Sequence, residues 1–336
     1  MKELRVVQMG LGPIGLLLAR MSASRPGFSL VGAVDPDPSL SGRDAGEVMG
    51  SGAIGVEVGA DANAVLEASA ADVVLHATGS HLEEVAEQLR VPLRRGVSVV
   101  STCEELLWPF RRHPRLSREL DAIARANGAV LLGTGVNPGF VMDKLVVTLL
   151  AACREIVSVR VLRVVDAATR RGPLFRKVGA GLAVPEFEER ARTGRLGHVG
   201  LAESAWMIAA ALGLSGKAAT EESLHPEIAT EAIATPHGRV EAGRVAGVAQ
   251  EVRVTDGGRE RVRLTLHMYA GAERPRDQIS IDGIPPVELT IEGGMQGEEA
   301  TVALAVSCAG LVRDLAPGLR TMLDVPLRPG FRGQQP

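Results

Sequence analysis

The stretch VVSTCEELLWP, residues 99–109, places two carboxylates, Glu104 and Glu105, directly after a run of β-branched residues. In a parallel sheet the carboxyl end of a strand opens onto the ligand. A carboxylate facing an amine there has a defined use. Hydride leaves a carbon next to nitrogen only after the ammonium has lost a proton, because the nitrogen lone pair must push it out, and a carboxylate can hold the cation and accept that proton. The task calls for apolar neighbours that lift the acid's pKa. Leu106, Leu107, Trp108 and Phe140 are placed to supply them. The competing use is structural. Ser101 with Glu104 and Thr102 with Glu105 form overlapping capping boxes, of which only one register can be used. Pro109 limits any helix to a turn or two. Neighbouring helical residues point about 100° apart, so if Glu105 folds back on Thr102, Glu104 faces elsewhere.

A hydride partner is encoded earlier in the chain. Gly10, Leu11, Gly12, Pro13, Ile14 and Gly15 spell a GxGxxG that follows an expected strand and opens an expected helix. The first glycine permits a tight turn, the second lets backbone approach a pyrophosphate, and the third lets helix and strand pack closely. Pro13 suits the first helical turn, where its missing N–H costs nothing. Asp35 ends the next strand 20 residues after Gly15, where an acid accepts the adenosine ribose hydroxyls and repels a 2'-phosphate. That favours NAD, while Arg43 downstream keeps NADP open. Thr78, Gly79 and Ser80 in HATGSH are expected beside the nicotinamide, although Ser80 with Glu83 also reads as a capping box. Thr102 and Cys103 lead into the acids and are expected on the cofactor side. In LLGTGVNPGFVMD, Asn137 is a candidate for the carboxamide or ribose and Phe140 for a cavity wall; a tight turn at 137–139 explains the same residues.

Other dehydrogenase chemistries lack their residues. Tyr269, the single tyrosine, has no lysine four positions on, and none of the seven histidines has metal-ligand spacing, so no metal site is expected. His76, His81 and His198 read first as structural histidines, with His198 retained as a substrate-contact candidate. Cys103 has no base beside it and reads as a packing or cofactor-facing residue rather than a nucleophile.

These residues need a sheet to position them. LRVVQM, FSLVGAVD, DVVLHAT, VSVVS and AVLLG alternate with helical patterns over residues 1–150, which predicts a doubly wound α/β Rossmann domain with a parallel sheet. The texture then changes. IVSVRVLRVVDA, EVRV, RVRLTLHMYA, QISID and VELTIEG predict a mixed α+β substrate and dimerisation domain over 151–297, with helices at PEFEERART and GLAESAWMIAAALGL. An apolar helix near 298–316 is expected to return to the first domain, and the tail RPGFRGQQP reads as loose. With 336 residues, 46% hydrophobic content and a net charge of −3, the chain has ample core and no basic footprint for nucleic acid. No stretch is long and apolar enough for a bilayer. Three scattered cysteines fit a reducing cytoplasm.

Taken together, GLGPIG, GAVDPDP, HATGSHLEEV, STCEEL, GTGVNPGF, RVLRVVDAATRRGPL, KVGAGL, GHVGLAES and PGLRTMLDVPL resemble the 2,4-diaminopentanoate dehydrogenases and related native amine dehydrogenases, distantly similar to dihydrodipicolinate reductases. The resemblance implies a homodimeric NAD(P)-dependent oxidoreductase that interconverts a small amine with a carbonyl compound and ammonia. It implies that the glutamate of the TCEE block, Glu104 with Glu105 as its neighbouring alternative, is the key polar residue facing the substrate. The chain departs from the group at SCAGLVRD, where an asparagine near Cys308 and an Ile-Pro pair are expected, and at CEELLWPF, which alters the aromatics after the acids. Two rival readings stay open here. An amino-acid dehydrogenase would clamp an α-carboxylate with Arg163, Arg170 or Arg171. A non-catalytic dinucleotide sensor would bind NADH without turnover.

Overall fold

The runs VVLH (73–76) and SVVS (98–101) are buried at every position, as strands are when helices cover both faces of their sheet. The structure is a computed structural model and describes residues 3–169, 172–194, 196–214, 216 and 218–328. It divides into two units, Met1–Phe140 with Gln296–Pro336, and Val141–Met295. The C-terminal tail from 329, Arg170 and Arg171 lie outside the described residues.

The first unit begins with β1 (Leu4–Met9), α1 (Pro13–Ser24), β2 (Phe28–Val34), α2 (Ala45–Met49), β3 (Val58–Gly59) and α3 (Ala62–Ser69). It continues with β4 (Val73–His76), α4 (Leu82–Arg94), β5 (Ser98–Ser101), α5 (Pro114–Ala126) and β6 (Val130–Gly133). A 3-10 helix, Glu104–Leu107, follows β5; it is called the acidic turn below. The second unit holds α6 (Lys144–Leu150), β7 (Glu155–Asp166), α7 (Gly172–Lys177), α8 (Val184–Arg192) and α9 (Leu201–Ala211). Its later strands are β8 (Ala219–Ile228), β9 (Ile233–Thr235), β10 (Gly238–Val240), β11 (Val245–Asp256), β12 (Arg259–Tyr269), β13 (Arg276–Ile284) and β14 (Val287–Glu292). The chain returns to the first unit with α10 (Gly297–Ala309) and β15 (Gly318–Arg320).

The first sheet has the order β15-β6-β5-β4-β1-β2-β3, and all its pairs are parallel. The order reverses between β1 and β4, which places the crevice at their carboxyl ends. Its core joins Val7, Val74, Leu82, Leu89, Val99, Leu120 and Leu131. The stripe of α1 that faces the sheet is Gly15, Leu18, Ala19 and Ser22, one position on from the expected Ile14, Leu17, Leu18 and Met21. The smaller residues face inward because the glycine loop draws the helix close to β1.

The second unit's sheet is mixed, in the order β14-β13-β7-β12-β11-β8, with β7 and β12 parallel and the other pairs antiparallel. Buried Val262, Leu264, Leu266 and Met268 of β12 alternate with more exposed residues, the period-2 pattern of a sheet with two unlike faces. Residues 144–150, expected in the first domain, pack instead with α9: Ser204 Oγ donates to Asp143 Oδ2 at 2.7 Å, and Asp143 caps α6.

Candidate active site

The glycine turn joins β1 to α1 at the point where the strand order reverses. Gly10 has φ +88°, and a Cβ on it would lie 2.6 Å from the Ala77 carbonyl oxygen, so the turns after β1 and β4 touch backbone to backbone there. A Cβ on Gly15 would fall 1.8 Å from the Gly10 oxygen, whereas one on Gly12 would meet nothing within 4 Å. The middle glycine is therefore the open face of the loop. Gly12 caps α1 without a side-chain bond and Pro13 occupies the first turn, leaving the remaining N-terminal amides for an anion. Leu11 and Ile14 are the loop's apolar members, and Leu11 is buried. Buried Gln8, noticed in the sequence only as an interruption of an apolar run, holds the turn from beneath. Its Nε2 donates to Gly10 O at 2.9 Å and Met9 O at 3.2 Å.

Asp35 lies against this loop. Its Oδ2 accepts from Leu11 N at 2.6 Å and its Oδ1 from Asp37 N at 2.9 Å. Arg43 is exposed in the segment between β2 and α2. The residues fit a dinucleotide: an open backbone cradle at a helix N-terminus, an acid anchored beside it, and Asn137 after β6, whose Oδ1 is buried without a hydrogen-bond partner among the described residues. The turn at Asn137-Pro138-Gly139 has a cis peptide before Pro138. Phe140 follows it as the last residue of this stretch of the unit and is partly buried.

The loops after β4 and β5 are stitched together. Ser80 O accepts from Glu105 N at 3.2 Å and from Cys103 Sγ at 3.3 Å. Thr102 N donates to His76 O at 3.0 Å. Gly79 stands between Thr78 and Ser80, and a Cβ on it would touch Val85 at 3.0 Å. The Thr78 hydroxyl turns to α4, donating to Gln88 Oε1 at 2.5 Å with His76 Nε2 at 2.8 Å, so its hydroxyl is occupied and it is the Thr78 methyl that borders the glycine turn, 2.9 Å from where a Cβ on Gly10 would lie. Burial pushes the Cys103 thiol far above its usual value, and the Glu104 and Glu105 charges add to that. It is not a thiolate.

Neither capping box over the acids forms. Ser101 Oγ instead accepts from Cys103 N at 3.0 Å, and the acidic turn has no side-chain cap. The Ser80 and Glu83 box is not formed either: α4 is capped by His81, without a side-chain bond. What α4 receives is the carboxylate of Glu105, only 6% exposed, whose Oε2 accepts from Leu82 N at 2.7 Å. The same carboxylate meets His81 Nδ1 at 3.0 Å and His113 Nε2 at 2.8 Å. Burial pushes the Glu105 carboxyl up, but the bonds from His81, the Leu82 amide and His113 outweigh it and hold the group below the usual carboxylate range. Glu105, a substrate-contact candidate in the sequence, thus has both oxygens engaged by protein.

Glu104 occupies the preceding position in the turn and is half-buried. At three residues per 3-10 turn it points roughly 120° from Glu105. Leu106 and Leu107 face the core. Trp108 is half-buried, edge-on to Phe110 with ring centroids 5.1 Å apart. The turn is seated on Gly133, where a Cβ would lie 2.6 Å from the Leu106 backbone.

Two candidates lie in the second unit. His198 is held through its backbone, donating to Gln250 Oε1 at 2.9 Å and accepting from Gln250 Nε2 at 3.0 Å. Arg163 is 3% exposed. Its Nη1 pairs with Asp277 Oδ1 at 2.5 Å and its Nη2 donates to Met295 O at 2.8 Å. This committed ion pair corrects the reading of Arg163 as a clamp for an α-carboxylate. Sequence reasoning also missed His113, Gln88 and Gly133. Only Gln8 carried a visible signal, a polar residue within an otherwise buried strand.

Comparison with known proteins places the chain. The family profile described as the 2,4-diaminopentanoate dehydrogenase C-terminal domain matches residues 140–335, and that of the dihydrodipicolinate reductase N-terminus matches residues 4–103. The chain is 31% identical to 2,4-diaminopentanoate dehydrogenase of Acetoanaerobium sticklandii, over 99% of this chain and 96% of that one. It is 27% identical to an amine dehydrogenase of Streptomyces virginiae over 97% of each chain. The solved structure of an amine dehydrogenase from Mycobacterium smegmatis superposes with a TM-score of 0.85 at 28% identity, over 98% of each chain. The glycine turn, its anchored acid and the acidic turn after β5 therefore sit in a chain that belongs to the 2,4-diaminopentanoate dehydrogenase family, NAD(P)-dependent oxidoreductases acting on amines.

Proposed function

We propose that this protein is a cytoplasmic, homodimeric amine dehydrogenase in which Glu104 handles the proton of a small amine or diamine. The overall reaction converts the amine, water and NAD(P)+ into a ketone or aldehyde, ammonium and NAD(P)H. The observation that carries the reading is the place of Glu104, in the turn just past the carboxyl end of β5, where a parallel sheet opens onto its ligand.

The nicotinamide supplies the hydride acceptor or donor. Glu104 holds the substrate ammonium, takes one proton from its nitrogen and so frees the lone pair that expels hydride. In the amination direction ammonia first replaces the carbonyl oxygen, which leaves as water, and once hydride has reached the carbon the protonated acid returns that proton to the amine nitrogen. Asn137 Oδ1, buried without a protein partner among the described residues, is suited to accept from a carboxamide N–H. The Asp35 carboxylate, fixed at Leu11 N, supports NAD as the preferred coenzyme, since a 2'-phosphate would meet its charge. The family likeness supports the dimer. The absence of disulfides at Cys103, Cys153 and Cys308 supports a reducing compartment, and no helix among the described residues is long and apolar enough to cross a membrane.

The test is reductive amination by the purified protein, for which light scattering should return a dimer, with NADH, a small ketone or aldehyde and excess ammonia. Ammonia-dependent NADH oxidation is expected. Glu104→Ala should lower kcat by ~10²–10⁴-fold, the range of general acid–base catalysis, while NADH binding persists. Native turnover in a folded Glu104→Ala protein would remove this residue from the mechanism.

A further inference from the structure

The Glu105 carboxylate is buried, carries charge and lies one residue from the acid proposed to meet the substrate, yet it faces away toward the helices. Its neighbours are all basic or donating: the Leu82 amide of α4 at 2.7 Å, His81 Nδ1 at 3.0 Å, His113 Nε2 at 2.8 Å and Arg112 Nε at 3.9 Å. His113 is in turn close to Glu83 through Nδ1, at 3.4 Å. These groups come from three places. His81 caps α4, His113 caps α5, and Glu105 belongs to the acidic turn between β5 and α5. A single carboxylate therefore ties the turn to the N-termini of both helices. A surface ion pair would contribute little, but this carboxylate and His113 are largely withdrawn from solvent, and the carboxylate completes the amide of a helix end that has no side-chain cap of its own.

The turn is also anchored by the buried Leu106 and Leu107 side chains and through main chain and thiol. Cys103 N reaches Ser101 Oγ, Cys103 Sγ reaches Ser80 O, and Glu105 N reaches the same oxygen. The Glu105 side chain adds a restraint on rotation of the turn about its own axis, because its two oxygens are held from two directions.

We propose that Glu105 is a positioning residue: its clamp on Leu82, His81 and His113 fixes the rotation of the acidic turn and thereby the direction in which Glu104 is presented. The proposal rests on the assignment of Glu104 given above. It also gives Glu105 a charge-dependent task. Protonating Glu105 removes an acceptor that the Leu82 amide and the two imidazoles share. Clamp strength then follows the ionisation of Glu105, with Arg112 Nε 3.9 Å away.

The experiment measures kcat, KM, NADH binding, melting temperature and the pH profile in Glu105→Ala, Glu105→Gln and His113→Ala, each alone and with Glu104→Gln. The expected result is a fall in kcat of ~10- to 100-fold for Glu105→Ala, the cost of a misplacement on the ångström scale, with NADH affinity retained. Glu105→Gln keeps one acceptor oxygen and should fall between native and Glu105→Ala. The pH profile should shift in both, a change that lost packing alone would not produce. In the Glu104→Gln background the Glu105 substitutions should cost little more, since they act through Glu104. Native kcat and pH profile in the folded Glu105 and His113 variants, or an equal loss with and without Glu104, would overturn the proposal. If Glu104→Gln itself turns over normally, it is the assignment of Glu104 that fails. An inactive Glu104→Gln with a native-like Glu105→Ala sinks the positioning role alone.

Discussion

His76 ends β4 fully buried, and burial lowers its pKa to about 4 against a smaller opposing effect of Gln88. Gln88 Oε1 has only lone pairs to offer, so His76 Nε2, 3.0 Å away, carries the proton. Nδ1 then accepts from the Ser101 hydroxyl at 2.8 Å, and the oxygen of that hydroxyl accepts from Cys103 N at 3.0 Å. A directional chain of bonds thus runs from α4 through a neutral imidazole to the start of the acidic turn. It has a cost in acid. The unfolded chain takes up a proton near pH 6.5 while the folded one resists until about 4, so stability is full above ~6.5 and falls as pH drops toward 4, by up to ~3 kcal/mol. Melting temperatures measured from pH 7 to 4 should decline less steeply in His76→Asn than in the native protein; equal slopes would contradict a neutral buried imidazole. At this scale the glycine motif and Asp35 were legible because their spacing is local. The partners of Glu105 were not. His81 lies 24 residues from Glu105, and the parallel pairing of β4 with β5 brings their loops together; His113, in the same connection as Glu105, fits no local pattern that announces the contact.

Between elements, the acidic turn depends on what lies beneath it. The sequence announced a glycine-rich loop after β6 but not its use, because the reason for Gly133 is another segment's backbone. A Cβ there would stand 2.6 Å from the Leu106 carbonyl carbon and 2.8 Å from Leu107 N. These are backbone atoms that cannot swing aside, so the turn itself must move. Gly133→Ala is expected to cost ~1–3 kcal/mol of stability as overpacking and to lower kcat by ~10- to 100-fold through displacement of Glu104. NADH affinity, measured by fluorescence, should change much less. Unaltered kcat in this variant would show that the turn tolerates displacement. The capping boxes teach the complementary lesson. Ser80 with Glu83 and Ser101 with Glu104 satisfy a local pattern, yet α4 takes its carboxylate from 23 residues away. The local cap loses because the remote acid also serves two imidazoles.

Across the molecule, the nucleotide sheet is assembled from both ends of the sequence. β15 pairs with β6 through Leu319 opposite Leu131, and Asp121 Oδ1 accepts from Leu319 N at 2.8 Å across 198 residues. α10 packs on α1, and its first turn is capped by the Gln296 side chain. Arg163 and Asp277 hold the backbone of Met295, the residue just before that cap, by its carbonyl oxygen and amide respectively. The return of an apolar helix was readable from its composition; the three-residue β15 was not, since so short a strand has no periodicity of its own. A chain ending at Met295 keeps the whole GxGxxG but loses α10 and β15. It is expected to lose cooperative unfolding and NADH binding, and tight NADH binding by such a chain would show that the edge strand is dispensable.

The late arrival of β15 also bears on synthesis. A ribosome releases the glycine turn and Asp35 about 280 residues before β15, the outer strand of the sheet that supports them, has emerged. Coenzyme capture then waits for β15, and products interrupted before it have little means of sequestering the cell's pyridine nucleotide.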